Sequence, residues 1–330
     1  MKYRWLASLV TVAISIPARG EPSGPITRPS ETMPSEPPAA KPKTVATIDA
    51  SIARGALDPK DLLTLTADPV LGKADRIDGD EIKGVVAFTF DDGPNPETTP
   101  HVIDALEKYN VPATFFIVTQ RITGKHGAAG RELLHRELEA GFLAGSHSVT
   151  HANLKHAATG QLAREVDASI KTLAVEAERP IGLFRPPYGS LSSTGRVRLK
   201  KLGLTEVQWS VDTLDWKAHN ADRLRKKVIS MIKHDDGGVV LMHDVKPITA
   251  KVIADVLDDL EVENCARLAG HRDPIIPVSI HYFLKTGKTP RAIPEAVQQR
   301  TAAYKAALPG RCANRPRLEA VEPAVKHAAK

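Results

Sequence analysis

Several absences narrow the reading before any motif is considered. Beyond residue 20 the sequence has no apolar run of membrane length, which takes roughly 20 residues, so a second membrane span is excluded. Glycine (22) and proline (25) are too few in 330 residues for a collagen-like or wholly disordered chain. Only two cysteines occur, Cys265 and Cys312, and neither is near the N-terminus, which argues against a lipid-modified cysteine there. Aromatic residues make up 5% of the chain and are scarce among the basic residues of its last segment, so nothing points to nucleic acid. No internal repeat is present.

What remains suits a folded soluble protein, with 42% hydrophobic and 25% charged residues. The first residues read as a secretory signal: Lys2 and Arg4 precede an apolar stretch from Trp5 to Ile16, and Ala18 and Gly20 offer a small-residue cut. Residues 21–44, rich in Pro, Ser and charge, read as an extended tether, with folded structure starting between residues 45 and 84. The net charge of +6 is uneven, because Lys285 to Lys330 holds ten Lys or Arg against three Glu. That basic tail could touch an anionic envelope polymer, or simply be solvated. In an exported protein Cys265 and Cys312 could pair and fasten the tail, or remain two buried thiols.

From residue 84 to about 286 strand-like and helix-like patterns alternate. Strands are expected at 85–90, 113–118, 141–146, 182–185, 206–211, 238–243 and 278–284. Helical spacing is seen at Val102, Ile103, Leu106 and Tyr109, and at Leu162, Val166, Ile170 and Leu173. It recurs in "ADRLRKKVISMIKHDDGG" and in "ITAKVIADVLDDLEVENCARLAG". Such alternation predicts the α/β class: a distorted (β/α) barrel with about seven parallel strands and helices outside. In barrels of this kind chemistry gathers at the C-terminal ends of the strands.

That rim is where the informative residues fall. Asp91 and Asp92 end the first strand, and two adjacent carboxylates repel unless a cation relieves one of them. His147 and His151, four apart, follow the third strand. With one carboxylate they form a three-ligand set that leaves positions open, as at a catalytic divalent site. The zinc-peptidase helix is disfavoured, since Ser148 stands where that motif has Glu. "RPPYG" brings Arg185, which can hold a carboxylate ionised, and a stiff loop that could fix a backbone N–H at Tyr188 as an oxyanion donor. "SVDTLDW" brings Asp212, Asp215 and Trp216, and "VVLMHD" ends on His243 before Asp244.

The ordered set "TFDDGP … HSVTH … RPPYG … DTLDW … LMH" resembles the polysaccharide deacetylases, the family 4 carbohydrate esterases with a NodB homology domain. The resemblance covers residues 84 to about 286. It implies Asp91 as base, and Asp92, His147 and His151 as metal ligands. It implies Arg185 orienting the base and the Tyr188 N–H facing the oxyanion. Asp215 would tune His243, the general acid, while Pro187, Trp216 and Leu241 would line the substrate pocket. The cofactor implied is one divalent ion, zinc first, with cobalt, nickel or manganese as alternatives. The reaction implied is attack of a metal-activated water on an N-acetyl group, releasing acetate and a free amine.

The expected organisation is a signal peptide (1–20), a Pro-rich tether and lead-in (21–83), the deacetylase domain (84–286) and a basic tail (287–330). The segment 119–131, "TQRITGKHGAAGR", is extended and lies outside the resemblance; with the tail it is expected to border the groove. The protein is expected to be exported, periplasmic or extracellular, and monomeric. Its expected substrate is an N-acetylated polysaccharide or oligosaccharide such as peptidoglycan, chitin oligomers or poly-N-acetylglucosamine. An O-acetyl xylan-type esterase and a non-catalytic carbohydrate-binding protein are the alternatives.

Overall fold

The computed structural model of the protein describes residues 71–124 and 127–315. The signal-like segment, the tether and residues 316–330 lie outside the described residues.

Strand β1 (Val85–Asp91) is the centre of the sheet. Its neighbours are β2 (Ala113–Ile117) and the long β7 (Gly237–His243), both parallel to it. Outward from β2 follow β3 (Leu143–Ser146), β4 (Leu183–Phe184) and β5 (Thr205–Glu206); outward from β7 lies β6 (Val211–Asp212). The seven parallel strands curl into a half-barrel in the order β5-β4-β3-β2-β1-β7-β6, and β8 (Ile276–Pro277) adds a short pairing to the start of β1. The expected barrel is thus observed. Strands buried on both faces read as continuous apolar runs, and β1 shows this, with only Val85 partly exposed. Phe90 stacks on Phe115 across β1 and β2 at 5.2 Å between ring centres. β7 begins with two glycines because the chain passes close to β1: a Cβ on Gly237 would lie 1.9 Å from the Val85 carbonyl oxygen.

Helices pack outside. They are α1 (Thr99–Lys108), α2 (Ala128–Glu139), α3 (Thr159–Leu162) and α4 (Ala168–Glu176), then α5 (Ser193–Leu202), α6 (Ala221–Asp235), α7 (Pro247–Ala269) and α8 (Glu295–Ala313). A π-helical turn, Ala163–Asp167, joins α3 to α4. Leu162, Val166 and Leu173 are buried on it, as their spacing predicts.

Four regions differ from expectation. The run 206–211 is not one strand: it breaks between β5 and β6, where Gln208 bonds to Ile77 instead. The run 278–284 is not a strand either. Val278 still bonds to Val86, but Ile280–Phe283 then turns into a 3-10 helix, with the Ser279 hydroxyl bonded to His281 Nδ1. In the segment read as a tail, residues 295–313 form α8, which buries Val297, Tyr304 and Leu308. There Cys265 and Cys312 are joined by a disulfide, so the pairing alternative holds. Finally, the lead-in contributes to the sheet. Ile77 is fully buried, its N–H bonds to the Glu206 carbonyl, and the Gly79 carbonyl accepts from the Val239 N–H. The extended segment 119–131 begins with a 3-10 turn, Thr119–Ile122, and ends inside α2. Among the described residues no helix is long and apolar enough to cross a membrane.

Candidate active site and metal centre

Parallel strands deliver their last residues to one rim, and the candidate residues stand there. In the β1–β7 register Asp91 pairs with His243, so base and acid candidates end neighbouring strands. β3, two strands away, ends immediately before His147. The chain then leaves the sheet in strained form: Asp92, Ser148, His151, Tyr188 and Leu214 all have positive φ. Left-handed backbone at non-glycine residues costs of order 1–3 kcal/mol each and clusters at functional sites.

Arg185 is the floor of the site. It is fully buried, and its guanidinium lies over the Phe116 ring at 4.2 Å. It donates to Asp91 Oδ1 (2.8 Å), Thr89 Oγ1 (2.7 Å), the Gln208 carbonyl (3.0 Å) and the Val207 carbonyl (3.2 Å). Burial pulls Arg185 down from its ordinary pKa and the Asp91 charge works against that. Asp91, itself buried, therefore has one oxygen committed to a cation; the other lies 3.6 Å from His147 Nε2.

His147 Nδ1 is 2.7 Å from the Arg185 carbonyl, which can only accept, so the ring proton sits on Nδ1. Burial lowers the His147 pKa, the nearby Asp91 and Asp92 charges opposing it. A neutral His147 thus turns the Nε2 lone pair towards Asp92 Oδ1, 3.6 Å away, and His151 Nε2 lies 3.2 Å from the same oxygen. Asp92 Oδ1 is buried and has no hydrogen-bond partner. A cation among these three ligand atoms would satisfy all of them at once. Tetrahedral N and O ligands about 2.0–2.1 Å from zinc stand about 3.3 Å apart. The atoms of Asp92, His147 and His151 all fall within 4.8 Å of one another, so the set fits a single dication.

On the opposite side Asp215 grips His243 with both oxygens: Oδ1 is 2.7 Å from ring Nδ1, and Oδ2 accepts the His243 backbone N–H at 2.7 Å. Thr249 Oγ1 also donates to Oδ2. Burial alone would lower the His243 pKa; the Asp215 hydrogen bond and charge, helped by Asp91 and Asp92, outweigh it and push it up to about 9.

The cleft beside the dication site holds about 480 Å³ and is lined by Asp92, Val118, Gln120, Arg121, Thr150 and His151. Gln120 and Arg121, from the extended segment, were not singled out by sequence; only their position next to the rim could have flagged them. Pro187 and Leu241 are buried and Trp216 is 54% exposed, and none of the three lines this cleft. The Tyr188 ring, 62% exposed, meets His151 edge-on at 4.6 Å. Asp212 caps the turn after β6, accepting the Leu214 N–H. Asp244, passed over in the sequence, is fully buried against Gly93, where a Cβ would come within 2.2 Å of its Oδ2, and it accepts from Thr99 Oγ1. Burial, with the Asp92 charge adding to it and Thr99 opposing, pushes its pKa up to about 7. Glu137 is also buried, and burial with the Asp244 charge raises its pKa well above the ordinary range.

The chain is similar in sequence and fold to known proteins. The family model described as polysaccharide deacetylase matches residues 78–207. The chitooligosaccharide deacetylase of a Bradyrhizobium strain is 36% identical over 165 residues, 49% of this chain and 71% of that protein. The chain belongs to the polysaccharide deacetylase family. Another family relative, the peptidoglycan-N-acetylglucosamine deacetylase PgdA of Listeria monocytogenes, is 37% identical over 176 residues, 53% of this chain; the chain spans only 36% of its length. Among solved deacetylase structures, the Bc1960 peptidoglycan N-acetylglucosamine deacetylase superposes with a TM-score of 0.54 at 28% identity. That match covers 66% of this chain and 95% of the other.

Proposed function

We propose that the protein is an exported, metal-dependent hydrolase that removes acetyl groups from N-acetylglucosamine-type residues of an envelope or extracellular polysaccharide. The observation that carries this reading is one dication-sized donor set, Asp92, His147 and His151, flanked by the Asp91–Arg185 pair and the His243–Asp215 pair. The relatives named above are deacetylases of peptidoglycan and chitooligosaccharide, which supports the substrate class.

Asp92, His147 and His151 would hold the metal, and the mixed N and O donor set favours zinc. When bound, such an ion polarises the acyl oxygen and makes water a better nucleophile near neutral pH. Asp91 takes the proton from the attacking water; Arg185, bonded to its other oxygen, fixes the carboxylate in place. The Tyr188 N–H, on a loop stiffened by Pro186 and Pro187, donates to the oxygen that becomes negative; one such donor is typically worth about 3 kcal/mol. His243 enters protonated, with Asp215 on Nδ1 leaving Nε2–H to the departing amine. Without that proton the amine leaves poorly. Leu241, on the same face of β7 as His243, and Trp216 would contact the acetyl methyl, and Pro187 would back the sugar.

The test is acetate release from N-acetylglucosamine oligomers and from peptidoglycan, with and without a chelator. Chelator-sensitive release on either substrate is expected. No release from any N-acetylated polymer by metal-loaded protein overturns the proposal.

A further inference from the structure

The loop between His147 and His151 is held in an unfavourable shape. Ser148 (φ 71°) and His151 (φ 61°) are both left-handed non-glycine residues within four positions. Within the loop the Ser148 hydroxyl accepts the His151 N–H (3.0 Å); the rest of the hold comes from the surrounding structure.

One side is held by backbone bonds from the turn after β2: the Thr119 N–H donates to the Ser148 carbonyl and the Gln120 N–H to the Val149 carbonyl, both at 3.1 Å. On the other side a side chain from the π-helical turn reaches the loop backbone. Glu165 Oε2 accepts the Val149 N–H (3.1 Å) and the Thr150 N–H (3.0 Å), while Oε1 accepts the Thr150 hydroxyl (2.8 Å). Glu165 as a residue is only 9% exposed. Glu165 sits in the π-helical turn between α3 and α4, where the Ala168 N–H reaches back five residues to the Ala163 carbonyl. Such turns are rare and frequently lie at functional sites. Here the turn sets Glu165 beside the buried stripe of Leu162 and Val166, aimed at the loop.

We infer that Glu165 is a positioning residue for the dication: it fixes the backbone of Val149 and Thr150 and thereby the aim of the His151 imidazole. This inference rests on the assignment of Asp92, His147 and His151 as metal ligands. His147 has its own brace in the Arg185 carbonyl. His151 Nε2 faces Asp92, and among the described residues no side-chain hydrogen bond braces its ring; the Tyr188 ring meets it edge-on, and the loop backbone sets where the ring starts from. Partners that orient metal ligands are typically worth about 10- to 100-fold in metal affinity.

The experiment titrates Co(II) alone into the metal-free full chain and follows the visible absorption band of the bound ion. In Glu165→Ala two backbone N–H groups lose their acceptor, and Co(II) affinity falls about 10- to 100-fold. Glu165→Asp keeps the charge but is one methylene too short, and weakens Co(II) binding as well. Glu165→Gln binds within about threefold of wild type, because its amide oxygen still accepts the N–H groups and the Thr150 hydroxyl can rotate to accept from the amide. Should Glu165→Ala fail to fold, the Asp and Gln pair decides: equal binding by the two overturns the inference. So does Glu165→Ala binding Co(II) as tightly as wild type with an unchanged band. A wild-type chain that takes up no Co(II) overturns the ligand assignment, and this inference with it.

Discussion

Asp215 holds His243 at two points, ring Nδ1 and backbone N–H, each at 2.7 Å. The grip fixes the tautomer and keeps the imidazolium favourable, with the His243 pKa raised to about 9. A group raised this way keeps its proton through neutral pH and loses it as pH rises through the raised value. As a general acid it works only while protonated, so kcat/KM should hold through neutrality and fall on the alkaline side; a dication beside Asp92 would pull that limb somewhat below 9. Asp215→Asn removes the main raising group and should shift the limb at least one unit lower. An unmoved limb in the pH–rate profile would mean another group is being titrated.

The two adjacent aspartates should separate cleanly. Asp91→Asn is expected to lower kcat by about 10²- to 10⁴-fold, the usual worth of a general base, with metal content unchanged. Asp92→Asn should lose metal. Elemental analysis beside turnover decides this, and loss of metal in Asp91→Asn would reverse the assignment.

Removing the Arg185 guanidinium leaves Asp91 a buried, uncompensated charge. Arg185→Met should destabilise the fold by about 3–5 kcal/mol in denaturant melts and abolish turnover. Arg185→Lys should not rescue either property, since one ammonium cannot reach four acceptors on different strands.

Gln120 and Arg121 line the cleft, and neither is among the candidate reacting groups. Arg121→Ala should therefore raise KM several-fold for oligomeric substrates while changing kcat little. Steady-state kinetics on a trimer and a pentamer of N-acetylglucosamine checks this; a matching fall in kcat would place Arg121 closer to the chemistry.

The disulfide between Cys265 and Cys312 closes a separation of 47 residues and ties α8 to α7. Loop-closure entropy puts its contribution at about 4 kcal/mol. A Cys265→Ser, Cys312→Ser double variant should melt correspondingly earlier, with acetate release at low temperature largely kept because α8 lies far from the rim residues in sequence and contributes none of them.

The candidate site was legible in part because Asp91 and His243 close β1 and β7 and His147 follows β3. "VVAFTF" and "VVLMH" announce β1 and β7, and the register between them is what brings Asp91 beside His243. What was illegible depended on partners distant in sequence. "EVQWSV" has strand composition throughout, yet Ile77 takes the bonds of Gln208 and splits it. "VSIHYFL" is apolar because its 3-10 turn is buried, with Ile280 and Phe283 almost inaccessible, and burial without periodicity cannot separate strand from turn. The Lys and Arg content of 287–330 hid α8, whose buried side Val297, Tyr304 and Leu308 is sparse. Glu165 and Asp244 were invisible for a different reason: their importance lies in which backbone they touch, and no spacing rule reports that.

β5 and β6 are the two rims of an incomplete barrel, and among the described residues the strip around Ile77 and Gly79 bonds across the opening between them. A fragment cut to begin at Gly84 would carry every catalytic motif and yet leave a gaping seam, with Glu206, Gln208 and Val239 backbone groups stripped of partners. A fragment cut for study should start upstream of Leu71, because Ile77, the last stave of the barrel, precedes the first sequence motif.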